Sequence, residues 1–172
     1  GKRRVVASAI EHPAVLNTCG ALEKSGFEVK YIGVDGGGYV DMEQARKLIT
    51  PETAVVSVMA ANNEVGTIQP IRELAALCRE RGALFHTDAV QAAGHIPLDV
   101  RELGCDMMSV SAHKLGGLRG AGLLYIRRGL ELQPLICGGG QEKGLRSGTE
   151  NTAAIVSMGA AMELSLIHIS EP

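Results

Sequence analysis

Tryptophan is absent from this chain of 172 residues, and phenylalanine occurs only twice. So few aromatic faces argue against a base-stacking platform for single-stranded nucleic acid. A dominant charge is missing too: 17 Lys and Arg against 19 Asp and Glu leave a formal net charge of −2. That balance offers no basic face for a phosphate backbone or an anionic membrane surface. The apolar runs are short and broken by polar residues, so none reads as a bilayer span. The basic opening "GKRRVVASAIEH" lacks the apolar stretch of a secretory leader. Four cysteines, Cys19, Cys78, Cys105 and Cys137, show no CxxC spacing. This argues against a zinc knuckle or a dithiol redox pair and fits a reducing compartment. His86, Asp88 and His113 match no common metal spacing either. The expectations are no nucleic acid, no membrane, no metal and a cytoplasmic location.

What is present is 45% apolar residues in a regular alternation. "RVVASA" reads as a strand. "AVLNTCGALEKSG" sets Val15, Cys19 and Leu22 on one helical face and stops at Gly26. "EVKYIGV" is a second strand and "DGGGYV" a turn. Asp41 with Gln44 three residues later predicts a capping box. "AVVSVM" has the uninterrupted apolar character of a buried parallel strand. Pro70 opens a helix whose Ile71, Leu74, Ala75 and Cys78 share a face, and Gly82 ends it. "ALFHTD", "DMMSVS" and "AGLLYIRR" read as strands, "AVQAAG" as a short helix, and "RSGTENTAAIVSMGAAMEL" leads into a last helix. The fold class expected is α/β, a mostly parallel sheet with helices on both faces. The first residue is Gly rather than Met, and "ELSLIHISEP" carries no helix-stop signal. A domain over residues 1–164 is therefore expected to be part of something longer, with 165–172 as a non-native or disordered tail.

Ligands of such sheets bind beyond the carboxyl ends of the strands. Polar clusters stand at three of those ends: "ANNE", "TDAVQ" and "SAHK". In "SVSAHKLGG", residues 109–117, a lysine follows an apolar run directly. A lysine near an aspartate on such a rim suits pyridoxal phosphate chemistry. The amine bonds the cofactor aldehyde, and a carboxylate keeps the pyridine nitrogen protonated.

Five ordered segments carry a resemblance: "EHPAVLNTC", "VMAANNEVGTIQPI", "HTDAVQAAGHIPLDV", "DMMSVSAHK" and "GGGQEKGLRSGT". Together they resemble the cysteine desulfurases, a branch of the class V aminotransferases within the fold-type I pyridoxal 5'-phosphate enzymes. Selenocysteine lyases are close relatives. The resemblance implies the aspartate aminotransferase-like large domain, incomplete, and implies a role for each matching residue. Lys114 would form the Schiff base and shuttle a proton. His12 would stack on the cofactor ring, and Asp88 would pair with its nitrogen. Gln91 would bond the ring oxygen. Asn63 would lie near that oxygen or the substrate carboxylate. Ser111 and His113 would hold the phosphate, and Thr149 would reach the phosphate of a partner subunit in a homodimer. The substrate would be L-cysteine, converted to L-alanine with its sulfur left as an enzyme persulfide. A sulfur-acceptor or scaffold protein would take that sulfur for iron-sulfur cluster assembly or other transfer.

Departures accompany the likeness. The family's Ser-rich loop with its catalytic cysteine, and the arginine that holds the substrate carboxylate, have no counterpart here, so the chain by itself is expected to be inactive. "HKLGGLRG" stands where many relatives have Tyr-Gly-Pro after the lysine. Bland roles compete at each position: a surface position for Lys114, a helix cap for Asp88, and turn positions for Asn63 and Gln91. Selenocysteine lyase or another class V aminotransferase is the alternative activity. A non-catalytic cofactor-binding or dimerising fragment is the alternative of another kind. Gly138–Gly140 lack the Gly-Lys-Ser/Thr of a nucleotide-binding loop, and no GxGxxG follows the first strand.

Overall fold

The computed structural model of the chain describes residues 1–170. Six strands form one sheet: β1 (Arg4–Ser8), β2 (Glu28–Ile32), β3 (Thr53–Ser57), β4 (Leu84–Asp88), β5 (Met107–Ser111) and β6 (Gly122–Ile126). Their order is β2-β1-β3-β4-β5-β6. Every neighbouring pair is parallel except β5 and β6. The helices are α1 (Pro13–Lys24), α2 (Met42–Leu48), α3 (Ile71–Arg81), α4 (Val100–Leu103) and α5 (Thr152–Ser170). The expected tail falls on the end of α5 and on Glu171 and Pro172, which lie outside the described residues.

The two faces of the sheet follow from side-chain alternation along the strands. Val5 and Ala7 of β1 and Val29 of β2 meet Cys19 of α1, with Val15, Leu22 and Phe27 packed around them. On the opposite face Val6, Ile32, Val56, Phe85, Met108 and Val110 pack with Ala45 of α2, Leu74 and Cys78 of α3 and Met158 of α5. Helices thus cover both faces, as the alternating pattern predicts. Each large side chain buried here contributes about 1.5–3 kcal/mol relative to exposure. The predicted stripe of α3 is entirely buried, and Gly82 closes the helix in the left-handed region at φ 65°.

Three local expectations need correction. Asp41 caps α2 by accepting from the N–H groups of Glu43 and Gln44 at 2.9 and 3.0 Å. The Gln44 side chain does not return to Asp41; it accepts from the Gly33 N–H instead, tying α2 to the end of β2. The capping box is therefore half formed, because a neighbouring backbone donor outcompetes the local one. "AVQAAG" forms successive turns rather than a helix, with the Ala92 and Ala93 N–H groups on the Ala89 carbonyl at 3.1 and 2.8 Å and a second turn starting at Ala92. Finally, α4 occupies a stretch where no helix was expected, capped by Asp99, whose side chain accepts from Arg101 N–H at 2.7 Å.

On the α1 face, beyond the apolar patch, Ser57, His86 and Ser109 form a hydroxyl–imidazole–hydroxyl chain across β3, β4 and β5. Ser57 Oγ lies 2.8 Å from His86 Nδ1, and Ser109 Oγ lies 2.8 Å from Nε2. Burial holds the His86 pKa below its usual value, with Asp88 opposing. A neutral imidazole has one donor and one acceptor nitrogen, so this chain uses both.

Candidate active site

β1, β3, β4 and β5 are adjacent and parallel, so their carboxyl ends open on one rim. Backbone bonds lock those ends together: Ala60 N–H to the Asp88 carbonyl at 2.8 Å, and Ala89 N–H to the Ser109 carbonyl at 2.9 Å. The rim carries His12 after β1, Asn63 after β3, Asp88 and Gln91 on and after β4, and Ser111, His113 and Lys114 on and after β5.

Asp88 is half-buried at the last position of β4. Its Oδ1 accepts from Val90 N–H at 2.9 Å. Only Oδ1 is engaged among the described residues, which leaves Oδ2 without a hydrogen bond there.

Lys114 belongs to a 3₁₀ turn, Ala112–Leu115, that begins directly after β5. Its side chain is exposed and forms no salt bridge among the described residues. Two glycines make this turn possible. Gly116 ends it at φ 85°, a left-handed conformation that suits glycine. At Gly117 a Cβ would stand 3.1 Å from the Ala112 carbonyl oxygen and 3.4 Å from Met158 Cα, so only a bare backbone lies comfortably against α5. The Leu118 N–H donates to Ser157 Oγ at 3.0 Å and fastens the same loop to that helix. Beside the lysine, Ser111 Oγ and His113 Nδ1 are 2.8 Å apart.

His12 is the N-cap of α1: its Nδ1 accepts from Ala14 N–H at 3.1 Å and the ring is otherwise exposed. In the neutral ring the proton is then on Nε2. Asn63 and Gln91 line a common cleft of about 390 Å³, shared with Glu64 and His95. Thr149 stands apart, in an exposed loop closed on itself by Gly148 N–H on Gln141 Oε1 at 2.9 Å and Ser147 N–H on the Ile136 carbonyl at 3.1 Å. No hydrogen bond joins Thr149 to the rim among the described residues. Glu142 and Lys143 of the same loop adopt left-handed backbone at φ 51° and 56°.

Sequence reasoning missed the residues that hold the rim from below. Asn62, not its neighbour Asn63, is buried: its Nδ2 donates to the Ile10 carbonyl at 3.0 Å, and its Oδ1 accepts from Glu64 and Val65 N–H groups at 2.9 and 3.0 Å. Glu11 is buried as well and accepts from Met59 N–H at 2.7 Å and from the Ser8 hydroxyl. Burial raises its pKa to about 7, against the pull of those two donors and with a further push from Asp88. Nothing in "EHP" signals a buried acid; only the pairing of β1 with β3 brings Met59 to it.

The donor set fits pyridoxal phosphate. An accessible amine and an adjacent hydroxyl–imidazole pair follow β5, and a half-buried carboxylate with a spare oxygen ends the neighbouring strand. A ring-bearing loop stands after β1. Comparison with known proteins bears on the family. Residues 1–171 match the family model described as aminotransferase class-V. The chain is 54% identical over 172 residues to a cysteine desulfurase of Gluconacetobacter diazotrophicus, covering 99% of this chain and 43% of that protein. Among solved structures, a NifS-like protein superposes with a TM-score of 0.95 at 47% identity, covering 98% of this chain and 47% of the other. The structure described as SspA in complex with cysteine gives 0.91 at 44% identity, over 94% and 47%. The chain thus spans less than half the length of the relatives it matches. Family match, strand order and rim together mean that this chain belongs to the class-V aminotransferases.

Proposed function

We propose that this segment is the cofactor-binding part of a pyridoxal-phosphate-dependent cysteine desulfurase acting as a homodimer in the cytoplasm. The observation that carries the proposal is that Asp88 ends β4 while Lys114 stands on the turn that directly follows the adjacent parallel strand β5. The relatives' names and the cysteine bound to SspA support the choice of substrate.

Bound pyridoxal phosphate supplies a conjugated ring that draws electron density from the substrate's Cα. Lys114 would be the amine for the cofactor aldehyde, and the base that takes and returns the proton at that Cα. Asp88 would hold the pyridine nitrogen protonated through a charge-assisted hydrogen bond. Ser111 and His113 would hold the phosphate. His12 would stack on the cofactor ring, Gln91 would bond the ring oxygen, and Asn63 would lie near that oxygen or the substrate carboxylate. The net reaction turns L-cysteine and an enzyme thiol into L-alanine and an enzyme persulfide, whose outer sulfur passes to an acceptor or scaffold protein, as in iron-sulfur cluster assembly.

The test is covalent capture. A full-length protein carrying this segment is loaded with pyridoxal phosphate, reduced with borohydride, digested and mapped. The label is expected on the peptide holding Lys114. Label on another lysine, with none on Lys114, overturns the assignment.

Thr149 is proposed to serve the partner's cofactor, which accounts for a polar loop that makes no hydrogen bond to its own rim among the described residues. Two inactive full-length variants, Lys114→Ala and Thr149→Ala, are mixed and allowed to exchange subunits. Each hybrid dimer then has one site with an intact lysine and an intact threonine. Random exchange should restore roughly a quarter of wild-type activity, since half the dimers are hybrids with half their sites complete. No recovery despite proven exchange removes the shared site.

A further inference from the structure

Among the described residues Glu11 is the only buried acid, at 4% exposure. Its Oε1 accepts two hydrogen bonds, while Oε2 has no partner among the described residues. No Lys or Arg forms a salt bridge with it among the described residues. Asp88 of β4 pushes against its ionisation, and Glu11 in turn disfavours the thiolate of Cys19 on α1. His12 follows it in the chain, and β3 and its extension contribute the uncharged Met59 and Asn62. An ionised carboxylate in such a place would be desolvated, without a counter-ion, and close to a second carboxylate.

We propose that Glu11 is a positioning residue, an uncharged acid that clamps the loop bearing His12 to the loop bearing Asn63 without opposing the charge of Asp88. The clamp has two strands: Glu11 holds Met59 N–H from one side, and Asn62 holds the Ile10 carbonyl from the other. The link to ligand binding rests on the cofactor assignment above; the protonation state does not.

The sign of the pH effect follows from linkage. The folded-state pKa, about 7, lies above the reference value of 4.5. The stabilisation is therefore complete below 4.5 and is lost as pH rises through 7, because the unfolded chain ionises first. Glu11→Gln keeps the Oε1 acceptor and cannot ionise. Urea unfolding of full-length wild type and Glu11→Gln is followed from pH 4.5 to 8. The folding constant of the variant relative to wild type is expected to rise on the order of 100-fold across that range. A ratio constant with pH overturns the uncharged acid.

Pyridoxal phosphate binding at pH 6, where Glu11 is mostly uncharged, is read by absorbance titration and addresses the clamp. Glu11→Ala is expected to bind about tenfold more weakly, as losing one hydrogen bond to a buried N–H implies, and Glu11→Gln to recover. Wild-type affinity in a folded Glu11→Ala overturns the clamp. If Glu11→Ala does not fold, Glu11→Gln decides: it must bind within about twofold of wild type at pH 6, and weaker binding overturns the clamp. Failure of wild type itself to bind the cofactor would count against the proposed function, while the urea comparison would still report on Glu11.

Discussion

Lys114→Ala, made in a full-length protein carrying this segment, is expected to reduce turnover of L-cysteine by about 10²- to 10⁴-fold, the range for loss of a positioned acid–base group. The fold should not notice. The side chain is exposed and forms no salt bridge among the described residues, so the change in stability should stay within about 0.5 kcal/mol. Lys114→Arg separates charge from chemistry. Arginine preserves the positive charge but is not deprotonated in proteins, so it can neither bond an aldehyde nor accept a proton. Both variants should therefore be similarly impaired. Steady-state alanine release, with thermal unfolding as the control for folding, checks this. An arginine variant with near-wild-type turnover would reduce Lys114 to an electrostatic role.

Asp88→Asn should be the next most damaging change, lowering turnover about 10- to 100-fold. That follows from losing a charge-assisted hydrogen bond worth about 1.5–3 kcal/mol, at 1.36 kcal/mol per decade of rate. The structure says why the fold should survive. The asparagine Oδ1 can still accept from Val90 N–H, so the turn after β4 keeps its cap. Only the second position changes, from a carboxylate oxygen to an amide. Asp88→Ala removes both and should cost about 1 kcal/mol of stability besides, the usual loss on deleting a capping side chain. Turnover and urea midpoints on the two variants separate the oxygens: unchanged turnover in Asp88→Asn would leave Asp88 as a cap alone.

Local pattern explains how much of this was legible in the sequence. The apolar spacings of Val15, Cys19 and Leu22, and of Ile71, Leu74, Ala75 and Cys78, already contain the α1 and α3 faces that the structure buries. Gly82 ends its helix as glycine does. The polar clusters at strand ends were visible too, because parallel connectivity alone sends those ends to one side. What stayed hidden depends on pairing between distant segments. Gln44 abandons its cap for Gly33, which the chain brings close only by folding. Asn62 and Asn63 are indistinguishable as a pair of turn residues, yet only the first turns inward to the Ile10 carbonyl. The reversal at β6 is equally silent, since "AGLLYIRR" has the same character as a parallel strand. Family likeness marked His12 but passed over Glu11, whose burial is a property of β1 and β3 together.

The order β2-β1-β3 has a consequence for synthesis on the ribosome. β1 leaves the tunnel before β2 and β3, and β2 can join it along one edge once α1 has formed the crossover. Its other edge belongs to β3, Thr53–Ser57, and must wait until that strand has been made. In the interval an apolar strand, Val5–Ala7, presents unpaired backbone groups, the kind of template that other nascent chains can extend. Parallel partners cannot be supplied by a tight hairpin, so no local shortcut closes the gap. The basic run Lys2, Arg3 and Arg4 lies at the head of that strand, where like charges oppose in-register stacking of two growing copies.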